Sequence, residues 1–108
     1  MQFLVLTKAA TTNLPPQVML QLVRQTFEMF VEKREPRIKQ AFPFAGERAG
    51  ALVIEAGSAE ELSDVIAGMP YSGIVDVTIH PLTTVEQQLK TIKQAEQRVA
   101  QMAPAMGR

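Results

Sequence analysis

The chain has one histidine, His80, and no cysteine among its 108 residues. His80 closes the run Ile74 to His80, where Val75, Val77 and Ile79 alternate with Asp76, Thr78 and His80. A period of two is the mark of a strand, so the three polar residues share one face. An imidazole titrates near neutrality and can carry a proton. Asp76 and His80 stand roughly 13 Å apart along a strand, too far for a direct pair. Thr78 is the nearer neighbour of each, about 6.6 Å away. The plainer reading is a half-exposed histidine before a proline, on a polar strand face. Lys8, Lys39, Arg48 and Glu55 lie in or beside other strands and could line one chamber with these groups. A cation there would hold a carboxylate and a glutamate would move a proton. Ion pairing or solvent exposure is the simpler account of each. Tyr71, the single tyrosine, follows Met69-Pro70 and fits either a pocket rim or a packed loop.

Other chemistries are absent from the pattern. Without cysteine there is no disulfide or thiolate site, and one histidine cannot build a usual zinc centre. No glycine-rich phosphate cradle is present. Eleven cations balance eleven anions, so no field of one sign draws the chain to nucleic acid or acidic lipid. The five phenylalanines lack the basic stripe that RNA stacking needs. The apolar run Phe3 to Leu6 is too short for a leader or a membrane span, and a soluble cytoplasmic protein is expected.

These side chains must be positioned by a small set of elements. Gln2 to Lys8 is a strand apolar on both faces, which asks for cover on both sides. Pro15 and Pro16 open a helix whose stripe is Val18, Met19, Leu22, Val23, Phe27 and Phe30, ending in a charged run before Pro36. Arg37 to Ala45 contains a second strand, which Pro43 assigns to an edge or bulge. Gly46-Glu47-Arg48 turns it into a third, Ala49 to Ala56. Ser58 and Glu61 form a capping box for a short helix, and Gly68 can stop it in the left-handed region. The strand ending at His80 follows. A last helix, capped through Thr83 with Glu86 or Thr84 with Gln87, carries Val85, Leu89, Ile92, Ala95, Val99 and Met102 as a narrow seam. Such a helix must lie on the body or on a second chain. Ala103 to Arg108 is expected to fray.

The order strand, helix, strand, strand, helix, strand is that of a split pair of βαβ units. It predicts an α+β fold, a ferredoxin-like four-stranded antiparallel sheet with both main helices on one face. Residues 1–82 form that domain and 83–108 a C-terminal helical arm and tail. The bare sheet face is expected to carry Leu and Phe side chains, and a homodimer joining two such faces would hide it, alone or within a ring of dimers.

Ala45-Gly46, Ser58 with Glu60-Glu61-Leu62, Met69-Pro70 and Asp76-Val77 through Pro81-Leu82 give the chain a resemblance to the muconolactone isomerase family. It covers roughly residues 34–82, mostly capping, turn and core positions. The resemblance implies a dimeric α/β barrel and proton movement within an unsaturated lactone, with no metal or organic cofactor. On that reading His80 or Glu55 is the proton carrier, Lys8 or Arg48 the anion holder, and Asp76 and Tyr71 further contacts to the small molecule. After Ala45-Gly46 the chain departs from the family, with Glu47-Arg48-Ala49-Gly50-Ala51 in place of polar and aromatic residues. The alternative is a dimerisation or ligand-binding module without enzymatic activity.

Overall fold

The computed structural model describes residues 1–102. Four strands, β1 (Gln2–Ala9), β2 (Ile38–Pro43), β3 (Ala49–Glu55) and β4 (Val75–Pro81), form one antiparallel sheet in the order β2-β3-β1-β4. Helices α1 (Pro16–Val31) and α2 (Ala59–Ala67) form the covering layer, and α3 (Val85–Met102) follows β4. This is the predicted ferredoxin-like α+β arrangement, and its centre is the doubly apolar β1.

Register sorts the side chains. Val5 stands opposite Leu52 on one side and Ile79 on the other, and Phe3 opposite Ile54. These face the helices, where Val5, Leu52 and Ile54 pack with Leu62, Val65 and Met69 as the core. The alternate residues Leu4, Leu6, Ala51 and Val53 point to the side without helices and are only half-buried. Pro43 lies on the edge strand β2, which also carries an irregularity between Ile38 and Gln40. Gly50, opposite Pro43, is buried because β2 passes close: a Cβ there would sit 2.9 Å from the Phe42 carbonyl oxygen.

Helix ends depart from the predicted pattern in two places. At the end of α1, Lys33 takes the left-handed conformation, with φ of 53°. The Lys33 N–H donates to the Phe30 carbonyl and the Arg34 N–H to that of Met29, the paired bonds of a Schellman stop. Gly68 was the residue expected to be left-handed, yet its φ is −76°. There the Met69 N–H bonds back to Ile66 and Pro70 ends the ladder by lacking a donor, so no positive φ is required. The capping box forms with a shift. Ser58 accepts from the Glu61 N–H at 3.1 Å, but the Glu61 carboxylate accepts from Gly57 at 2.7 Å rather than from Ser58.

The final helix uses the second of its two possible caps, Thr84 accepting from the Gln87 N–H at 3.0 Å. Every residue of α3 is exposed, and the molecule is 66 Å long but only 27 Å by 26 Å across. The arm therefore does not lie on its own body. The fraying expected for Ala103 to Arg108 falls outside the described residues.

Candidate functional site

The main hollow lies between α1 and one end of the sheet, with a volume of about 630 Å³. Met19, Val23, Phe27 and Phe30 of α1 form its roof, and Leu52, Ala41 and Ile74 belong to its floor and sides. Backbone bonds fix the rim. The Ala9 N–H donates to the Arg48 carbonyl at 2.8 Å, the Ala10 N–H to Ile74 at 2.9 Å, and the Phe44 N–H to Ala49 at 2.9 Å. The β2–β3 hairpin is thereby tied to the end of β1, and Glu47 and Arg48 stand at its tip as the charged groups of the lining.

Tyr71 holds the inner end. It is buried, and its ring meets Phe30 edge-on with centroids 6.3 Å apart. Burial pushes its phenol above the ordinary value, and the Thr7 hydroxyl beside it partly offsets that shift. At neutral pH it is a hydrogen-bond donor. Its backbone N–H donates to Thr26 Oγ1 at 3.0 Å, and that hydroxyl donates to the Leu22 carbonyl at 2.9 Å. Thr26 has no exposed surface at all. One hydroxyl in the middle of α1 thus secures the loop that presents Tyr71, and among the described residues no buried side-chain polar atom is left without a partner.

The sequence-predicted residues fall into three places. Arg48 and Tyr71 line this hollow. Lys8, Asp76 and His80 lie on the opposite, open face, Lys8 directly across from Asp76 and His80 across from Leu4. Glu55 shares that face at its far end, beside Gln2, where its carboxylate accepts from the Met1 ammonium at 2.8 Å. The seven-residue length of β3 therefore separates Glu55 from the hairpin end that carries Arg48. The chamber expected against the bare face and the hollow observed under α1 are on opposite sides of the sheet.

Sequence reasoning passed over Glu47, Thr7 and Thr26. The signal for Thr26 was present: Met19, Val23, Thr26 and Phe30 recur at helical spacing, and this line faces the core. Phe27, assigned to the buried stripe, is instead 40% exposed at the roof. Among the described residues no group of three or more His, Cys, Asp or Glu could hold a metal ion, and no helix is long and apolar enough to cross a membrane.

A ferredoxin-like sheet with an apolar hollow under its first helix, opening at a charged hairpin, defines the class: an α+β protein of ferredoxin-like fold. The family can be named from the sequence as well: the muconolactone delta-isomerase model matches residues 1–88, and the chain belongs to that family. The crystal structure of muconolactone isomerase superposes with a TM-score of 0.65 at 23% identity, covering 78% of this chain and 90% of the other. A 5-chloro-2-hydroxyhydroquinone dehydrochlorinase from Burkholderia phenoliruptrix, solved with 2,5-dihydroxybenzoquinone, gives 0.57 at 16% identity, covering 81% of this chain and 98% of the other. Both likenesses concern the fold. Comparison with curated proteins finds no match.

Proposed function

We propose that the hollow under α1 is the site of an isomerase- or lyase-like reaction on a small molecule, run by proton transfer. The observation that carries this reading is the composition of the lining: aliphatic and aromatic walls, one guanidinium, one carboxylate and one buried phenol. Such a site takes a compact, mostly apolar molecule and orients it by a few polar contacts. Family membership and the named activities of the two similar structures support the same class.

The finer reading is a cofactor-free isomerase acting on a lactone or another carboxylate-bearing molecule. Arg48 holds the carboxylate through paired N–H donors. The Glu47 carboxylate takes a proton from one carbon and returns it to another as the double bond shifts, with no net oxidation. The Tyr71 hydroxyl donates to the oxygen that gains charge. This moves the catalytic work from His80 and Glu55 to the hairpin end, and leaves Lys8, Asp76 and His80 to the open face. That face pairs with a second copy, burying Leu4, Leu6 and Val53. A binding module without catalysis is the second reading, favoured by a wall lacking histidine and lysine.

Deuterium uptake from heavy water into an unsaturated lactone carboxylate, followed by NMR, separates them. The isomerase reading expects uptake with the wild type. It expects a loss of about 10²-fold in kcat for Glu47→Gln and a rise in KM for Arg48→Leu. His80→Ala should leave both unchanged. Saturable binding without exchange leaves the module; dependence on His80 returns the chemistry to the open face.

A further inference from the structure

The inner end of the hollow holds two hydroxyls with little else to bind. Thr7 stands on the helix side of β1, opposite Gly50 in β3 and Val77 in β4, and is buried. Tyr71, also buried, comes in from the loop after α2, and both residues line the hollow. Thr7 Oγ1 donates to the Gly50 carbonyl at 3.5 Å, the outer limit of a hydrogen bond. That carbonyl already has a partner. The Ala9 N–H bonds to the Arg48 carbonyl, and an antiparallel ladder repeats every two residues, so the Thr7 N–H donates to Gly50. The bond from the Thr7 hydroxyl is a long second one to the same oxygen, and breaking it costs little.

The phenol is less committed still. The Thr7 hydroxyl is near enough to ease its ionisation, yet no aligned hydrogen bond joins the two while Thr7 faces Gly50. Among the described residues every sealed side-chain oxygen has a partner. The Tyr71 oxygen has none, so it is not sealed and opens to the hollow. Its position is nonetheless fixed, by the Thr26 bond to the Tyr71 N–H and by the edge-on contact with Phe30. Two donors are therefore held in place before any ligand arrives. The charged groups of the lining, Glu47 and Arg48, stand at the hairpin end. Thr7 lies two residues inward from the bond between Ala9 and Arg48, roughly 6.6 Å along the strand. That is about the span of one six-membered ring.

We propose that Thr7 and Tyr71 form a two-donor seat for one ligand oxygen, the phenolate or enolate oxygen of a planar conjugated ring whose far end meets Arg48. Both hydroxyls turn their protons to that oxygen, and Thr7 leaves the Gly50 carbonyl to its ladder bond. A carboxylate suits the hairpin end, where a guanidinium offers two parallel donors. Two neutral donors in an enclosed space suit a single oxygen whose charge is shared with a ring. Phe27 and Phe30, with centroids 6.2 Å apart, supply the wall against which the ring lies. The seat rests on the reading of the hollow as a ligand site and on no reaction. It makes Thr7 the residue that selects for the oxygen.

Titration calorimetry at about pH 8 with two probes tests it: 4-nitrophenol, largely phenolate there, and nitrobenzene, the same ring without the oxygen. The wild type should bind the phenolate at least tenfold more tightly, a comparison that needs no substitution. Thr7→Val keeps the shape without the hydroxyl, and Tyr71→Phe removes the phenol. Each should cut phenolate affinity about tenfold, the worth of one hydrogen bond to a charged group, and leave nitrobenzene within about twofold. Thr7→Ser should restore most of the loss. Equal affinity for the two probes overturns the seat while leaving the hollow as a site for rings; binding of neither removes the hollow as well. A phenolate preference that survives Thr7→Val and Tyr71→Phe but is lost in Arg48→Leu would mean that the guanidinium alone holds the anion, and also overturns the proposal.

Discussion

Adjacent residues of β1 live in different worlds. Val5 is wholly buried between sheet and helices, while Leu6 points to the open face and keeps part of its surface. Around Val5 lie the core and the hollow with Tyr71 and Arg48; around Leu6 lie Lys8, Thr78 and Asp76. The two faces have similar apolar centres but different borders. On the helix side, polar groups inside the layer are bonded, as Thr26 is to Tyr71 and Leu22. On the open side they stand along the margin in water. A face covered within the chain satisfies its own polar groups, and the face without helices keeps them at its rim.

The comparison can be broken first at β1. Val5→Asp places an unpaired carboxylate in the core, costing about 3 kcal/mol or more, and should abolish cooperative unfolding by circular dichroism. Leu6→Asp should leave the fold within about 1 kcal/mol of the parent while shifting sedimentation toward single chains. If both variants unfold alike, the faces are not distinct. Next in size is Thr26→Val, which keeps the shape but strands the Tyr71 N–H. A loss of about 1–3 kcal/mol is expected from denaturant midpoints, with Thr26→Ser retaining most of it.

The smallest effect lies at the margin of the helix side. Arg37 binds Glu35 at 2.7 Å and Glu61 at 3.4 Å. The Arg37 hydrogen bond holds the Glu35 carboxyl below its usual range, and the Gly57 N–H, then Arg37, do so for Glu61. Carboxylates lowered on folding add stability that is present above their unfolded pKa. It is lost as pH falls through the folded one. Thermal midpoints should therefore decline more between pH 5 and 3 than in Arg37→Leu, by about 2 °C given the exposure of the pair. Equal slopes would remove Arg37 from the account.

The fold was legible because its signals are local. Alternation in β4, the prolines before α1 and the Ser58 cap each announce an element, and the order of elements leaves few ways to assemble them. The stop at Lys33 was not legible, since a left-handed lysine has no compositional mark while a glycine does. The candidate site was legible only in part. Tyr71 and Arg48 were singled out by residue type, but strand register decides which side of the sheet a neighbour reaches. A sequence without register cannot tell that His80 and Arg48 belong to opposite sides. Thr26 was hidden by its polarity: the helical line through Met19, Val23 and Phe30 includes it, and its hydroxyl reads as a surface group until the Tyr71 N–H is seen beside it.

Gly50 has a consequence for the hairpin that bears Glu47 and Arg48. The space opposite the Phe42 carbonyl admits a hydrogen atom and nothing larger. A side chain at position 50 would have to push β2 away, because the atom it would meet is backbone rather than the end of a flexible side chain. Gly50 thus sets how closely the two strands of the hairpin approach beneath the charged lip.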